Sequence, residues 1–157
     1  MIIFRIVLKK YSNELFAPGI PGRWNSDGNK VIYTAGSIAL AVMENLIYRK
    51  GQGFSNHYAT MLIDLPDHLA KTAYTSDTLP TGWNSPDKYS VSQPIGDNWY
   101  KEGLTPVLKI PSAVVPQEYN YVINSTHADF AQIKLIKVAE YVPDERIDDI
   151  LKKYPKT

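Results

Sequence analysis

Short β-branched and aromatic runs alternate with polar, turn-forming stretches along most of this 157-residue chain. Residues 2–9 (Ile-Ile-Phe-Arg-Ile-Val-Leu-Lys) predict a first strand and Lys30–Thr34 a second. His57–Leu65 predicts a third, Thr105–Ile110 a fourth, and Tyr119–Ile123 and Gln132–Glu140 two more. The longest helical pattern runs from Ile38 to Arg49, with Ser37 as its N-cap and Gly51 and Gly53 ending it. Gln93–Lys101 predicts a short helix or helical turn, and Val142–Lys153 a terminal helix with Pro143 early in it. Ala17–Gly22 and Asn25–Asn29 carry the Gly, Pro, Asn and Asp of tight turns. Pro66 to Tyr74 reads as a short helical or irregular piece, and Thr75–Ser90 as loop. About six strands and two or three helices, with no regular βαβ alternation, predict an α+β fold with mainly antiparallel pairing.

One charge interrupts this pattern where charge is costly. Glu44 stands alone in the uncharged run Ser37-Ile-Ala-Leu-Ala-Val-Met-Glu-Asn-Leu-Ile-Tyr48. At helical spacing Leu40, Ala41, Ile47 and Tyr48 share its face, so the carboxylate points into a mostly apolar neighbourhood. A charge in such a place is paired or functional. A helix acid paired with a distant Lys or Arg is the bland reading. The sharper one is a carboxylate that steadies positive charge on a sugar carbon during glycosyl transfer. No second acid stands at the spacing of a glycosidase pair, which favours a substrate whose leaving group needs no proton, such as the nicotinamide of NAD.

Arg23 and Tyr33 lie upstream in Gly22-Arg-Trp-Asn25 and at the end of the second strand. Arg23 is either stacked on Trp24 or free to clamp a phosphate through its planar fork. No glycine-rich phosphate cradle occurs in the sequence, so a side-chain clamp would have to serve. Tyr33 is either core or a ring that packs on a ribose. Ser112, between Pro111 and Ala113, is not in a nucleophile elbow; its hydroxyl suits positioning a phosphate or an attacking oxygen. His57, His68 and His127 have no metal-binding spacing, so metal catalysis is not expected. Trp99 reads as a packing anchor.

Composition narrows the class. Lys plus Arg total 17 against 16 Asp plus Glu, and a net charge of +1 argues against wholesale phosphate-backbone binding. Cysteine is absent, which removes disulfides, thiolate nucleophiles and Cys-based zinc sites. No run approaches the roughly 20 apolar residues of a membrane span, and the amino terminus lacks the features of a signal peptide. The expectation is a single cytoplasmic domain over residues 1–157.

An ordered set of motifs resembles the RES-domain family, named for its Arg, Glu and Ser residues. It comprises Phe4-Arg5, Gly22-Arg23-Trp24-Asn25, Gly28 to Tyr33-Thr34-Ala35, Ser37 with Ala39-Leu40-Ala41 and Glu44, Ile95-Gly96-Asp97-Asn98-Trp99, Pro111-Ser112-Ala113, and Asn120-Tyr121 to Asn124 with His127. The chain departs from the pattern at Ser125-Thr126 and at Pro21. The resemblance implies a fold similar to ADP-ribosyltransferase toxins and the toxin role in a type II toxin–antitoxin pair. It implies NAD depletion by cleavage of the nicotinamide–ribose bond, with phosphate or water as acceptor and no cofactor. An Xre-like helix-turn-helix antitoxin is the implied partner, and some relatives instead attach ADP-ribose to a protein. By position, Arg23 would hold the pyrophosphate and Tyr33 pack on the ribose. Glu44 would stabilise the oxocarbenium-like state and Ser112 orient phosphate or ribose, with Asn124 and His127 as further substrate contacts. A non-catalytic nucleotide- or partner-binding module is the remaining alternative.

Overall fold

The computed structural model describes residues 1–50, 56–87, 89–142 and 144–153. Within them the chain runs β1 (Ile2–Leu8), β2 (Val31–Ala35), α1 (Ile38–Tyr48), β3 (Tyr58–Asp64), β4 (Lys71–Ala73) and α2 (Gln93–Glu102). It continues with β5 (Val107–Pro111), β6 (Tyr119–Asn124), β7 (Lys134–Glu140) and α3 (Glu145–Lys153). The seven strands form one sheet in the order β4-β5-β6-β2-β1-β3-β7. Every neighbouring pair is antiparallel except β4–β5. The expected α+β class and its antiparallel character are what the chain adopts.

The strands are two-sided, and alternation decides what each side carries. Ile3, Val7, Ile32, Met61, Ile63 and Ile123 fill one face, under Ala17, Leu69 and Ile133. The opposite face divides in two. Ile6 and Ala35 pack with Leu40 and Ala41 of α1. Val31, Leu108, Ile110 and Val122 pack with Trp24, Trp83 and Trp99. Both α1 and α2 therefore lie on one face of the sheet.

The sheet is uneven at its middle. β1 pairs with β3 along seven residues and β2 with β6 along five, yet β1 and β2 meet only at Phe4 and Ala35. Beyond that contact the two strands part, with Arg5 on one side and Tyr33 on the other. α1 lies across this seam.

Two expectations are corrected. The stretch after Pro66 is not helical or merely irregular: Lys71–Ala73 forms β4, parallel to β5, and Thr105 Oγ1 accepts from Thr72 N at 3.2 Å. Three residues are too few to show a period, and their ladder is supplied by a strand more than thirty residues away. The apolar setting of Glu44 also needs revision. Leu40 and Ala41 are buried, but Ile47 and Tyr48 are 56% and 68% exposed. Ser37 caps α1 as expected, its hydroxyl accepting from Leu40 N at 3.1 Å. The helix ends on Arg49. Gly51, Gly53 and Pro143 lie outside the described residues.

Candidate functional site

Glu44 projects from the middle of α1 and is half-buried. Period-two alternation along β5 and past its end places Leu108, Ile110 and Ser112 on one side of the chain. The same register sets Asn120 opposite Ile110 and Ala35, beneath α1. The result is a three-residue cluster. Ser112 Oγ donates to Glu44 Oε1 at 2.8 Å, and Asn120 Nδ2 donates to the same oxygen at 2.5 Å. Among the described residues Oε2 receives no hydrogen bond. One carboxylate oxygen is thus fixed by two donors.

Ser112 is fully buried and saturated. Its hydroxyl accepts from Val114 N and Val115 N, each at 3.0 Å, and its single proton goes to Glu44. So engaged, the Ser112 hydroxyl aims Glu44.

Arg23 is carried by a turn closed by Gly22 N to Asn25 O at 2.9 Å. Its Nη1 donates to Trp83 O at 2.9 Å and Ser85 O at 2.8 Å, and its plane lies 4.8 Å from the Tyr89 ring. Of the two expected arrangements, stacking on Trp24 is not what is seen: the aromatic neighbour of the guanidinium is Tyr89. Nε and Nη2 have no partner among the described residues and remain as a fork. Trp24 is buried against Trp83, centroids 6.2 Å apart.

Tyr33 pins this turn to the sheet. Its hydroxyl donates to Asn25 Oδ1 at 2.7 Å and accepts from Trp24 N at 2.9 Å. Burial pushes its phenol well above the ordinary tyrosine range; nearby Tyr48 and Tyr89 add to the rise, and the hydrogen bond from Trp24 N and the charge of Arg23 oppose it. Arg23, Tyr33, Tyr48 and Tyr89 therefore share one neighbourhood, and Tyr48 stands one helical turn from Glu44 on α1.

α2 fixes the same turn from outside. A Cβ on Gly96 would lie 1.9 Å from Trp24 O, so only glycine permits the contact. Asp97 accepts from Ser26 N at 2.8 Å, Ser26 Oγ at 2.5 Å and Asn29 Nδ2 at 2.7 Å. Gln93 Nε2 donates to Gly22 O at 2.9 Å. Trp99 is 3% exposed, the packing anchor expected.

Asn124 and His127 are not brought to this cluster. Four residues of β6 separate Asn124 from Asn120, roughly 13 Å of extended chain. Asn124 Oδ1 accepts from Thr126 N and Thr126 Oγ1, at 2.9 and 2.7 Å. His127 Nδ1 accepts from Asp129 N at 3.0 Å, capping the 3-10 turn Ala128–Gln132. Both side chains organise a turn. Asn120 belongs to the recognised motif set, yet its contact with Glu44 is not foreseen in the sequence, since an amide at a strand start carries no periodic signal. Among the described residues no group of three or more His, Cys, Asp or Glu gathers as metal ligands. No helix among them is long and apolar enough to cross a membrane.

A mainly antiparallel sheet with a helix-borne acid over its central seam defines the class to which comparison with known proteins adds a family. The RES domain profile matches residues 2–148, and the chain belongs to the RES-domain family. It is 34% identical over 128 residues to the Prs ADP-ribosylating toxin of Sphingobium sp., covering 80% of each chain. It is 31% identical to Toxin Res of Photorhabdus laumondii subsp. laumondii, covering 94% of this chain and 97% of that one. Its fold matches a chain in the crystal structure of the M. tuberculosis MbcT–MbcA toxin–antitoxin complex, with a TM-score of 0.75 at 18% identity. That match covers 94% of this chain and 87% of the other.

Proposed function

We propose that the protein is a toxin that cleaves the nicotinamide–ribose bond of NAD, passing the ribosyl carbon to phosphate or water. The observation that carries this reading is the Glu44 carboxylate, one oxygen held by Ser112 and Asn120 and the other without a hydrogen bond among the described residues. Fixed dipoles and charges aimed at developing charge lower a barrier without reorganising. As nicotinamide departs with the bonding pair, its ring nitrogen becomes neutral and positive charge grows on the ribose carbon. Glu44 Oε2 faces that charge; the acceptor oxygen then forms the new bond and loses its proton to solvent. Arg23, through Nε and Nη2, holds the pyrophosphate. Tyr33 shapes the wall rather than donating, since its hydroxyl is occupied.

Support also comes from the family, whose members include the toxins named above. A second reading, transfer of ADP-ribose to a macromolecule, is favoured by the relative named as an ADP-ribosylating toxin. The partner in either case is an antitoxin with an Xre-like helix-turn-helix domain, which leaves DNA contact to that protein and suits a net charge of +1. A helix-turn-helix protein encoded beside this one would support it.

The test incubates the pure protein with NAD, with and without phosphate, and identifies products by mass. Free ADP-ribose or its 1-phosphate is expected; a labelled protein target would favour the second reading. Glu44→Gln should lower turnover about 100-fold or more at unchanged folding. Equal turnover would leave the acid merely structural and the protein a binding module. Arg23→Ala should weaken NAD binding by about 2 kcal/mol, some thirtyfold.

A further inference from the structure

Beyond Glu44, α1 ends in a second feature. Tyr48, Arg49, Lys50 and Tyr58 line a pocket of about 310 Å³, at the lower end of the roughly 300–1,000 Å³ range of ligand sites. Its lining is two cations and two aromatic rings, with no acid. Arg49 donates through Nε to Asn45 Oδ1 at 2.9 Å and lies 4.9 Å from the Tyr58 ring, and its two terminal nitrogens have no hydrogen bond among the described residues. Among the described residues neither Arg49 nor Lys50 has a carboxylate within 4.0 Å.

Arg5, at the seam, adds to the imbalance. Its one hydrogen bond among those described is Nη1 to Phe16 O, at 3.2 Å. Burial first, and the like charge of Arg49 second, lower its pKa to about 10. Cations that are crowded and unpaired await an anion. Lys50 also holds a left-handed backbone, φ 50°, among the described residues the only non-glycine that does. That conformation disfavours a side chain, and this one is kept at the pocket.

The pocket's distance from Glu44 identifies its guest. Arg49, the C-cap of α1, and Lys50 just past it follow Glu44 by five and six residues, roughly 8–9 Å at helical rise. That separation suits the distance from the reacting ribose carbon of a dinucleotide to the phosphate at its far side. We infer that the pocket of Tyr48, Arg49, Lys50 and Tyr58 binds the adenosine-phosphate half of the dinucleotide substrate. Arg49 takes the phosphate through its terminal nitrogens, and the tyrosine rings face the base and ribose. This rests on the dinucleotide reading of the Glu44 site.

The test is calorimetric titration of ADP, of adenosine and of inorganic phosphate into the wild-type protein and the Arg49→Gln and Lys50→Gly variants. NAD turnover by the wild type is measured alongside. ADP is expected to bind more tightly than either fragment, and at least tenfold more weakly to Arg49→Gln. Lys50→Gly relieves the backbone, so it tests the lost cation in a chain that folds; several-fold weaker ADP binding is expected. Equal ADP affinity in both variants overturns the inference, as does phosphate binding as tightly as ADP. If the wild type turns over NAD while ADP affinity ignores both substitutions, this pocket fails and the proposed function stands. If ADP binding follows the substitutions but NAD is not consumed, the pocket stands as an ADP site and the proposed activity falls.

Discussion

Asn120 gives one amide hydrogen to Glu44, while its own Oδ1 is buried with no partner. The carboxylate dictates this orientation, since a flipped amide would set oxygen against oxygen. Asn120→Asp would place a second carboxyl against Glu44. Two acids at hydrogen-bond distance share a proton, so the acid limb of the pH–rate profile should move up by about one unit or more. An unmoved limb would separate Asn120 from the chemistry. Ser112→Ala strands the buried amides of Val114 and Val115, and should cost roughly 1–3 kcal/mol in urea unfolding along with a fall in kcat. Tyr33 gives a pH dependence of its own. Its folded pKa is raised above the ordinary 10.0, so its stabilising contribution is whole below pH 10 and is lost as pH climbs through the raised value. Thermal unfolding should therefore weaken above pH 10, and Tyr33→Phe should flatten that slope.

At the scale of elements, α2 acts as a strut for the Arg23 turn. Gly96→Ala forces a methyl against Trp24 O and should destabilise by about 2 kcal/mol or more. Because the turn carries Arg23, KM for NAD should rise in the fraction that folds; a normal KM would uncouple strut from site. At the other end of α1, Lys50→Gly should raise unfolding stability by about 1 kcal/mol, since the left-handed position suits glycine. How far these elements were legible follows from how local their causes are. Ser37 and α1 could be read because cap and helix lie within a dozen residues. Glu44 could be read because charge is rare in apolar company, although Ile47 and Tyr48 proved to face outward. β4 could not be read, since its pairing comes from β5. Asp97 stood inside a recognisable motif, yet its three bonds to Ser26 and Asn29 reach across some seventy residues and leave no mark in either segment alone. His127 caps a turn, and in sequence a polar turn residue looks the same whether it caps or binds.

For the whole molecule, the seam at Phe4 and Ala35 divides the sheet into two ladders, β4-β5-β6-β2 and β1-β3-β7. α1 packs on both and sets Glu44 against Ser112, just past β5, and Asn120 of β6. The strands of β1-β3-β7 come from residues 2–8, 58–64 and 134–140. A chain ending at residue 132 loses β7 and with it Ile133 and Leu135 from the core, and should show no cooperative thermal transition by circular dichroism. A sharp transition in that fragment would mean that the first ladder folds alone.

This interleaving governs when the sheet can first be completed. Each ladder is threaded through the other in the order of synthesis, so a ribosome has to deliver residues 134–140 before the last strand docks. A nascent chain that stops before residue 134 already contains Glu44, Ser112 and Asn120 but lacks the edge strand that completes the β1-β3-β7 ladder.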